Sequence, residues 1–409
     1  MPHRQRLFET LEQRGLDGLV AYLRPNVFYL SGFAPPSNQS VHETNGYAAV
    51  VISRHAPDQP AMVVAEFDLA YFLQRPSWIE DVRPYATLLL PFDVPLGDAP
   101  LDRFIPGDWR NTDWARRARS AYAPSLVEGV GMAMADLGLQ RGRVGFDDLR
   151  LANAVAGPDV TVVDAYGALK YVRQVKTPEE LALLREATRL NQQAIERTIR
   201  TWSRGTTWQQ LIHAYNVLAT DLGGFVRDPG AIVLANAPGS DTALYMHAGP
   251  EDFVVEPGTH IMWDCHGTWH HYCWDGGKTW VVDDEPHGDA RTIASATACA
   301  MAAIQDALRP GVRLSQLQAS GRRAFRQAGL AEPTAERAFI FFHGLGLEHI
   351  DMEITNSHQD WSVEDGMVVS AHLQVPGDDR HRSWLEEIFL VTPGGGEPFF
   401  TWDHQPLVG

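Results

Sequence analysis

Apolar residues in the first part of the chain come in short dense runs that alternate with segments of helical period. Arg6 to Arg14 is amphipathic and stops at Gly15. "GLVAYL" (18–23), "AAVVIS" (48–53) and "PAMVVA" (60–65) are the continuous runs of buried strands. "SLVEGVGMAMADLGL" is helical, and "GRVGFDD" and "VTVVDAY" read as two more short strands. This alternation predicts a mixed α/β domain. Residues 85–118, rich in Pro, Asp and Trp and without clear period, read as an irregular loop or lid.

The pattern changes at "VKTPEELALLREATRLNQQAIERTIR". Thr177 is a good N-cap, Pro178 suits the first helical position and Glu180 completes a capping box. Leu181, Leu184, Ala187, Leu190, Ala194 and Ile195 then form one apolar face. A domain boundary is therefore expected near residue 172, giving domains 1–172 and 173–409. The second domain is expected to hold a helix from about Thr207, strands around 231–235 and 260–283, and a helical pair at 289–308 and 315–328. Strand-like runs at 338–342, 367–375 and 385–392 complete it. Helices with several antiparallel strands make the fold class α+β.

Composition narrows the function classes. The 409 residues are 44% hydrophobic and 21% charged, ordinary for a globular protein with room for two cores. A net charge of −17 argues against nucleic-acid or anionic-membrane surfaces. Cys265, Cys273 and Cys299 form no CxxC, so a disulfide framework is not expected. The start "MPHRQRLFETLEQRG" has no apolar signal core, and no apolar run has the length of a membrane span. A cytoplasmic location is expected.

Candidate chemistry begins at "HIMWDCHGTWHHYCWDGGKTW" (260–280), where Asp264 and Asp275 interrupt apolar and aromatic runs. A buried carboxylate needs a cation, donors or water. A hairpin across this stretch, with Gly267 and Thr268 near the middle, would pair the two directly, which favours a cation between them. The alternative is two half-exposed aspartates. Further on, "FFHGLGLEHID" places His343 in a Gly-rich turn, and "GMVVSAHLQVPG" and "RSWLEEIFLVT" place His372 and Glu386 inside strand-like runs. A single histidine in an apolar run is usually a core residue; five candidate ligands in this order point to a metal. His270 and His271 read as a solvated hairpin tip. Trp263, Trp269, Trp274, Trp280 and Trp384 read as core packing or as an aromatic wall around a small apolar or cationic substrate.

On these residues the chain resembles the pita-bread metallopeptidase family, which includes methionine aminopeptidase, aminopeptidase P, prolidase and the creatinases. It is most similar to members with an extra N-terminal domain. The resemblance implies a C-terminal pita-bread catalytic domain behind a smaller creatinase-like α/β domain. It also implies metal ligands at Asp264, Asp275, His343 and Glu386, and a substrate-contacting histidine at His247 in "LYMHAGPEDFVVEPGTHIMWD".

Four positions depart from the family's pattern. His372 stands where the family has a glutamate ligand that also handles the proton of the attacking water. Ile350 stands at the family's second histidine, with His349 one place earlier. His266 replaces a glycine and Trp384 an arginine. If the 343–350 segment is extended, His349 faces away from the pocket; a local bulge returns it. His266, by alternation with Asp264, is an added candidate ligand.

The resemblance thus implies a divalent metal (Zn, Mn, Fe or Co), one or two per chain, with the second ion disfavoured by the missing carboxylate. It implies hydrolysis of a C–N bond in a small molecule or short peptide, as in Xaa-Pro aminopeptidases and dipeptidases, with His247 and His349 as catalytic candidates. Alternatives are a creatinase-like amidinohydrolase, a dimethylsulfoniopropionate-type lyase or a silent binding protein. A homodimer is implied as well.

Overall fold

The structure, a computed structural model, describes residues 3–36, 48–87, 100–239, 252–353 and 359–409. The chain divides into two compact units, Met1–Arg173 and Gln174–Gly409. No helix among the described residues is long and apolar enough to cross a membrane.

The first unit is built on a mixed six-stranded sheet. Its strands are β1 (Gly18–Ala21), β2 (Ala49–Ser53), β3 (Ala61–Ala65), β4 (Asp81–Tyr85), β5 (Gly142–Phe146) and β6 (Val160–Asp164), in the order β4-β3-β2-β1-β5-β6. The dense apolar runs are its central strands. Val20, Val51 and Val63 pack against Val130, Ala133 and Met134 of the helix Leu126–Asp136. One expectation needs correction: the stretch read as irregular over 85–118 ends in the helix Asp113–Ser120, and its residues 88–99 lie outside the described residues. Thr112 caps it by accepting from Ala115 N, and Ala115 and Ala118 turn inward. The charged sequence "DWARRARS" hides that two-residue apolar stripe.

The second unit is a largely antiparallel nine-stranded sheet. Its strands are β7 (Phe225–Leu234), β8 (His260–Trp269), β9 (Tyr272–Trp274), β10 (Gly277–Val281), β11 (Phe339–Gly344), β12 (Val368–Val375), β13 (Ser383–Thr392), β14 (Gly395–Pro398) and β15 (Leu407–Val408). The main path runs β11-β12-β13-β10-β8-β7, with β9 on β8, β14 on β13 and β15 on β10.

Two helix pairs cover one face. Pro178–Ile199 opens on the capping box, with Thr177 N donating to Glu180 and Glu180 N to Thr177. With Trp208–Asp221 it buries Ile261, Trp263 and Cys265 of β8. Gly288–Ala307 and Leu314–Gln327 cover Ile340 and Phe342 of β11, Val369, Ala371 and Leu373 of β12, and Leu385 and Phe389 of β13. Because strand side chains alternate, the intervening residues all face the other side. Those are Met262, Asp264 and His266; Phe341 and His343; Ser370, His372 and Gln374; Trp384 and Glu386. Both the core and the site follow from this period of two.

Candidate metal centre

The β8–β9 hairpin turns at His270 and His271, both with left-handed backbone (φ 47° and 74°), after the pair Trp269↔Tyr272. Two successive positive φ values form the two-residue turn whose twist matches the flanking strands, and histidine tolerates that region better than most residues. This register corrects the expected direct pairing of the aspartates. Gly267 lies opposite Trp274, so the next residue of β8 on the site side, His266, is the one that meets Asp275. Asp264 stands two residues away. Gly276 and Gly277 (φ 87° and 151°) then break the strand, and a Cβ on Gly277 would sit 2.5 Å from the Trp263 carbonyl oxygen.

Asp275 is fully buried at the centre of a histidine cluster. Its Oδ1 accepts from Gly276 N at 2.9 Å and lies 3.0 Å from His266 Nε2, which also reaches Asp264 Oδ1 at 2.9 Å. Its Oδ2 lies 3.3 Å from both His343 Nε2 and His349 Nδ1, without hydrogen-bond geometry to either. On the neighbouring strands His372 and Glu386 are register partners, with Nε2 and Oε1 2.8 Å apart. Ser370 Oγ donates to the same Glu386 oxygen at 2.5 Å.

One donor atom from each of Asp275, His343, His372 and Glu386 lies within 4.8 Å of the others, and all four residues are buried. Asp275 Oδ2, His343 Nε2, His372 Nδ1 and Glu386 Oε2 have no hydrogen-bond partner. Buried polar atoms are ordinarily satisfied, so four converging residues that each keep an unsatisfied atom form a cradle for a cation. His343 is already set for it. Its Nδ1 lies 3.1 Å from the Gly344 carbonyl oxygen, a contact that assigns the ring proton to Nδ1 and leaves the Nε2 lone pair facing Asp275. The donor set of two imidazoles and two carboxylates suits Zn²⁺, Fe²⁺, Mn²⁺ or Co²⁺.

The electrostatics divide the cluster. Burial raises the Asp275 carboxyl, but His266, His343 and His349 outweigh it and hold the group well below the usual carboxylate range. Burial also opposes the His266 imidazolium, yet Asp275 and Asp264 push its pKa up to about 10. Glu386 is driven well above its ordinary value by burial and by the Asp275 and Asp264 charges. His372 and His349 are lowered, first by burial, and so favour the neutral imidazole that binds metal.

His349 reaches the cluster because the segment after β11 is not extended. Asp351 N bonds back to the Gly344 carbonyl at 2.9 Å, and Asp351 Oδ2 accepts from Leu347 N at 2.9 Å. That tight loop aims His349 at Asp275, with its ring 4.4 Å from His266 and 4.6 Å from His343, and leaves Ile350 44% exposed. The sequence reading missed Ser370 and Phe341. Phe341 stacks on His372 at 4.0 Å while 42% exposed. A polar residue at every second position of "VVSAHLQV" was the available signal for Ser370.

The tryptophans separate by face. Trp263, Trp274 and Trp280 lie in the core under the helices and Trp269 packs at its edge. Trp384 stands on the site face, edge-on to His372 at 5.7 Å, its buried Nε1 without a partner. The expected substrate histidine, His247, lies outside the described residues.

Residues 182–393 match the model of metallopeptidase family M24, and residues 3–175 match the creatinase/prolidase N-terminal domain. The chain belongs to metallopeptidase family M24, in its creatinase- and prolidase-like, pita-bread form. An uncharacterized peptidase of Staphylococcus aureus is 25% identical over 231 residues, 56% of this chain. The match spans 63% of that relative's length.

Among solved structures, an X-Pro aminopeptidase from Thermotoga maritima superposes with a TM-score of 0.72 at 16% identity, covering 98% of this chain and 100% of that one. A dipeptidase from Mycobacterium ulcerans gives 0.68 at 23% identity, covering 99% and 96%. A prolidase from Pyrococcus furiosus gives 0.68 at 16% identity, covering 97% and 99%. At these identities the likeness establishes the shared fold.

Proposed function

We propose that this chain is a metal-dependent hydrolase that cleaves a C–N bond in a small substrate, and that Asp275, His343, His372 and Glu386 hold its divalent ion. The observation that carries this reading is the convergence of donor atoms from four buried residues, each of which also has a side-chain polar atom without a partner. Bound there, a divalent cation would polarise a carbonyl and lower the pKa of water, and so would supply a nucleophile at neutral pH.

The chain's own residues do the rest. Ser370 fixes one oxygen of Glu386 and so aims the other into the cradle. Glu386, raised well above its ordinary value by burial and by the Asp275 and Asp264 charges, would be ionised as a ligand of a bound ion. Phe341 and Trp384 wall the outer side of His372, exclude water and leave the Trp384 N–H for a substrate acceptor. His247 is proposed to contact the substrate on the strength of the resemblance alone.

His372 favours a second reading on the same fold, a non-peptidase enzyme, because an imidazole stands where the peptidases resembled here keep a carboxylate for proton handling. Elemental analysis of the purified protein, followed by product analysis on Xaa-Pro dipeptides and small amidino compounds, tests both. Bound metal with amine release from a dipeptide supports the hydrolase. Alkene formation, or turnover of amidino compounds alone, moves the assignment to the second reading. Protein that takes up no divalent ion sinks both metal-dependent readings.

A further inference from the structure

The buried cradle accounts for only one side of Asp275. On the other side, one donor atom each from His266, Asp275 and His349 forms a second group within 4.8 Å. Neither histidine belongs to the ligand set that the resemblance implies. Both arise at departures from the pattern, one on β8 and one in the 345–351 loop, and two separate elements converge on a single carboxylate.

The spacing is that of a coordination polyhedron. Ligand atoms on one ion with bonds of about 2.0–2.1 Å stand roughly 3 Å apart in an octahedron and roughly 3.3 Å apart in a tetrahedron. His266 Nε2 is 3.0 Å from Asp275 Oδ1, and His349 Nδ1 is 3.3 Å from Asp275 Oδ2. Asp275 Oδ2 is fully buried and has no hydrogen-bond partner. Asp264 Oδ1 lies 2.9 Å from the same His266 Nε2, so this carboxylate borders the outer position.

We propose that His266, Asp275 and His349 form a second, nitrogen-rich metal position that shares Asp275 with the buried one, so that the chain holds two unlike ions. The buried position has two carboxylates and two imidazoles; the outer one has one carboxylate and two imidazoles. Three protein ligands leave a coordination position open, the pattern of catalytic rather than structural sites. The side chains of His266 and His349 are 18% and 40% exposed, against 8% or less for every ligand of the buried position. The outer ion therefore exchanges faster, and its donor set favours zinc, cobalt or copper over manganese. This makes His349 a ligand rather than the free catalytic group that the resemblance implies.

The inference rests on the reading of the buried site but is tested apart from it. Metal-stripped full-length protein is titrated with Co²⁺, with uptake followed by calorimetry and by the visible absorption of the bound ion. Two ions per chain are expected, the second removed by a weak chelator that leaves the first. His266→Ala and His349→Ala should each bind one ion, keep the first step unchanged and melt at the wild-type temperature; His266→Asn serves if the alanine variant misfolds. One ion in the wild type overturns the outer site and leaves the buried one standing. Two ions in both histidine variants overturn it as well. No ion in the wild type overturns the buried site and this inference together.

Discussion

Asp147 and Asp275 are both buried carboxylates that directly follow a strand, β5 in one unit and β9 in the other, yet their surroundings are opposite. Asp147 Oδ1 accepts from Tyr22 N at 2.8 Å, and Oδ2 accepts from Leu23 N at 3.1 Å and Asn26 Nδ2 at 2.7 Å. Arg173 closes the network by donating to Asn26 Oδ1. Asp275 has one oxygen bonded and one facing imidazoles at a distance. Burial dominates the first and lifts its pKa to about 6, whereas the imidazoles hold the second well below its usual range. Depth of burial does not separate a structural carboxylate from a chemical one. Closure of its lone pairs does. Of the eleven buried side-chain atoms without a partner among the described residues, only Arg54 Nε lies in the first unit, and five cluster at the metal centre.

The largest test exchanges each carboxylate for an amide. Asp275→Asn removes the charge shared by both proposed positions. It should weaken divalent-ion binding more than about 100-fold, beyond the cost of losing an outer-shell partner. Asp147→Asn should leave metal content unchanged by elemental analysis. Equal loss of metal in both variants would erase the distinction.

Next comes the pH dependence of stability. The folded-state pKa of Asp147 is raised from 3.8 to about 6, so the folded protein binds this proton more tightly than the unfolded chain. The stability it contributes is fully present below pH 3.8 and is lost as the pH rises through about 6. A shift of about 2 units corresponds to ~3 kcal/mol. Denaturant unfolding of the wild type at several pH values should show this decline between pH 4 and 7, and Asp147→Asn should flatten it. An unchanged slope in the variant would assign the decline to other groups.

Much of the metal-centre side of this contrast was legible in the sequence, because strand alternation is local. His372 and Glu386 stand at positions whose neighbours Ala371, Leu373 and Leu385 are core, which forces both onto the opposite face. The hairpin was legible only in part: His270 and His271 read as its tip, but without an Asn-Gly signature the register was offset, and Asp275 meets His266 rather than Asp264. The inward aim of His349 depends on Asp351 bonding back to Gly344 and to Leu347, and the spacing of residues cannot reveal that closure. Asp147 escaped notice altogether. Its partners Tyr22, Leu23 and Asn26 lie more than a hundred residues away in the chain.

A smaller effect concerns how the cradle is held. Ser370→Ala removes the hydroxyl on Glu386 Oε1 and frees that carboxylate to turn. Ion affinity at the buried position should fall about tenfold, the low end of the range for an outer partner. Calorimetry measures it, and unaltered affinity would mean that the His372 contact alone orients Glu386.

The smallest effect compares two tryptophans. Trp274 and Trp384 are both buried, but Trp274 Nε1 donates to Tyr215 Oη at 3.0 Å while Trp384 Nε1 has no partner. Replacing either by Phe removes the same volume, so the packing penalties are similar. Trp274→Phe also removes one of the two hydrogen bonds of the buried Tyr215 hydroxyl, which keeps its bond to Asn191 Oδ1, and should cost about 1 kcal/mol more in denaturant unfolding. Trp384→Phe loses no internal bond, and its effect should appear as a higher KM with kcat little changed, because the lost N–H serves the bound substrate. If Trp384→Phe is instead the more destabilising of the two and leaves KM untouched, its N–H serves the fold, and unpartnered atoms cease to mark the ligand face at that residue.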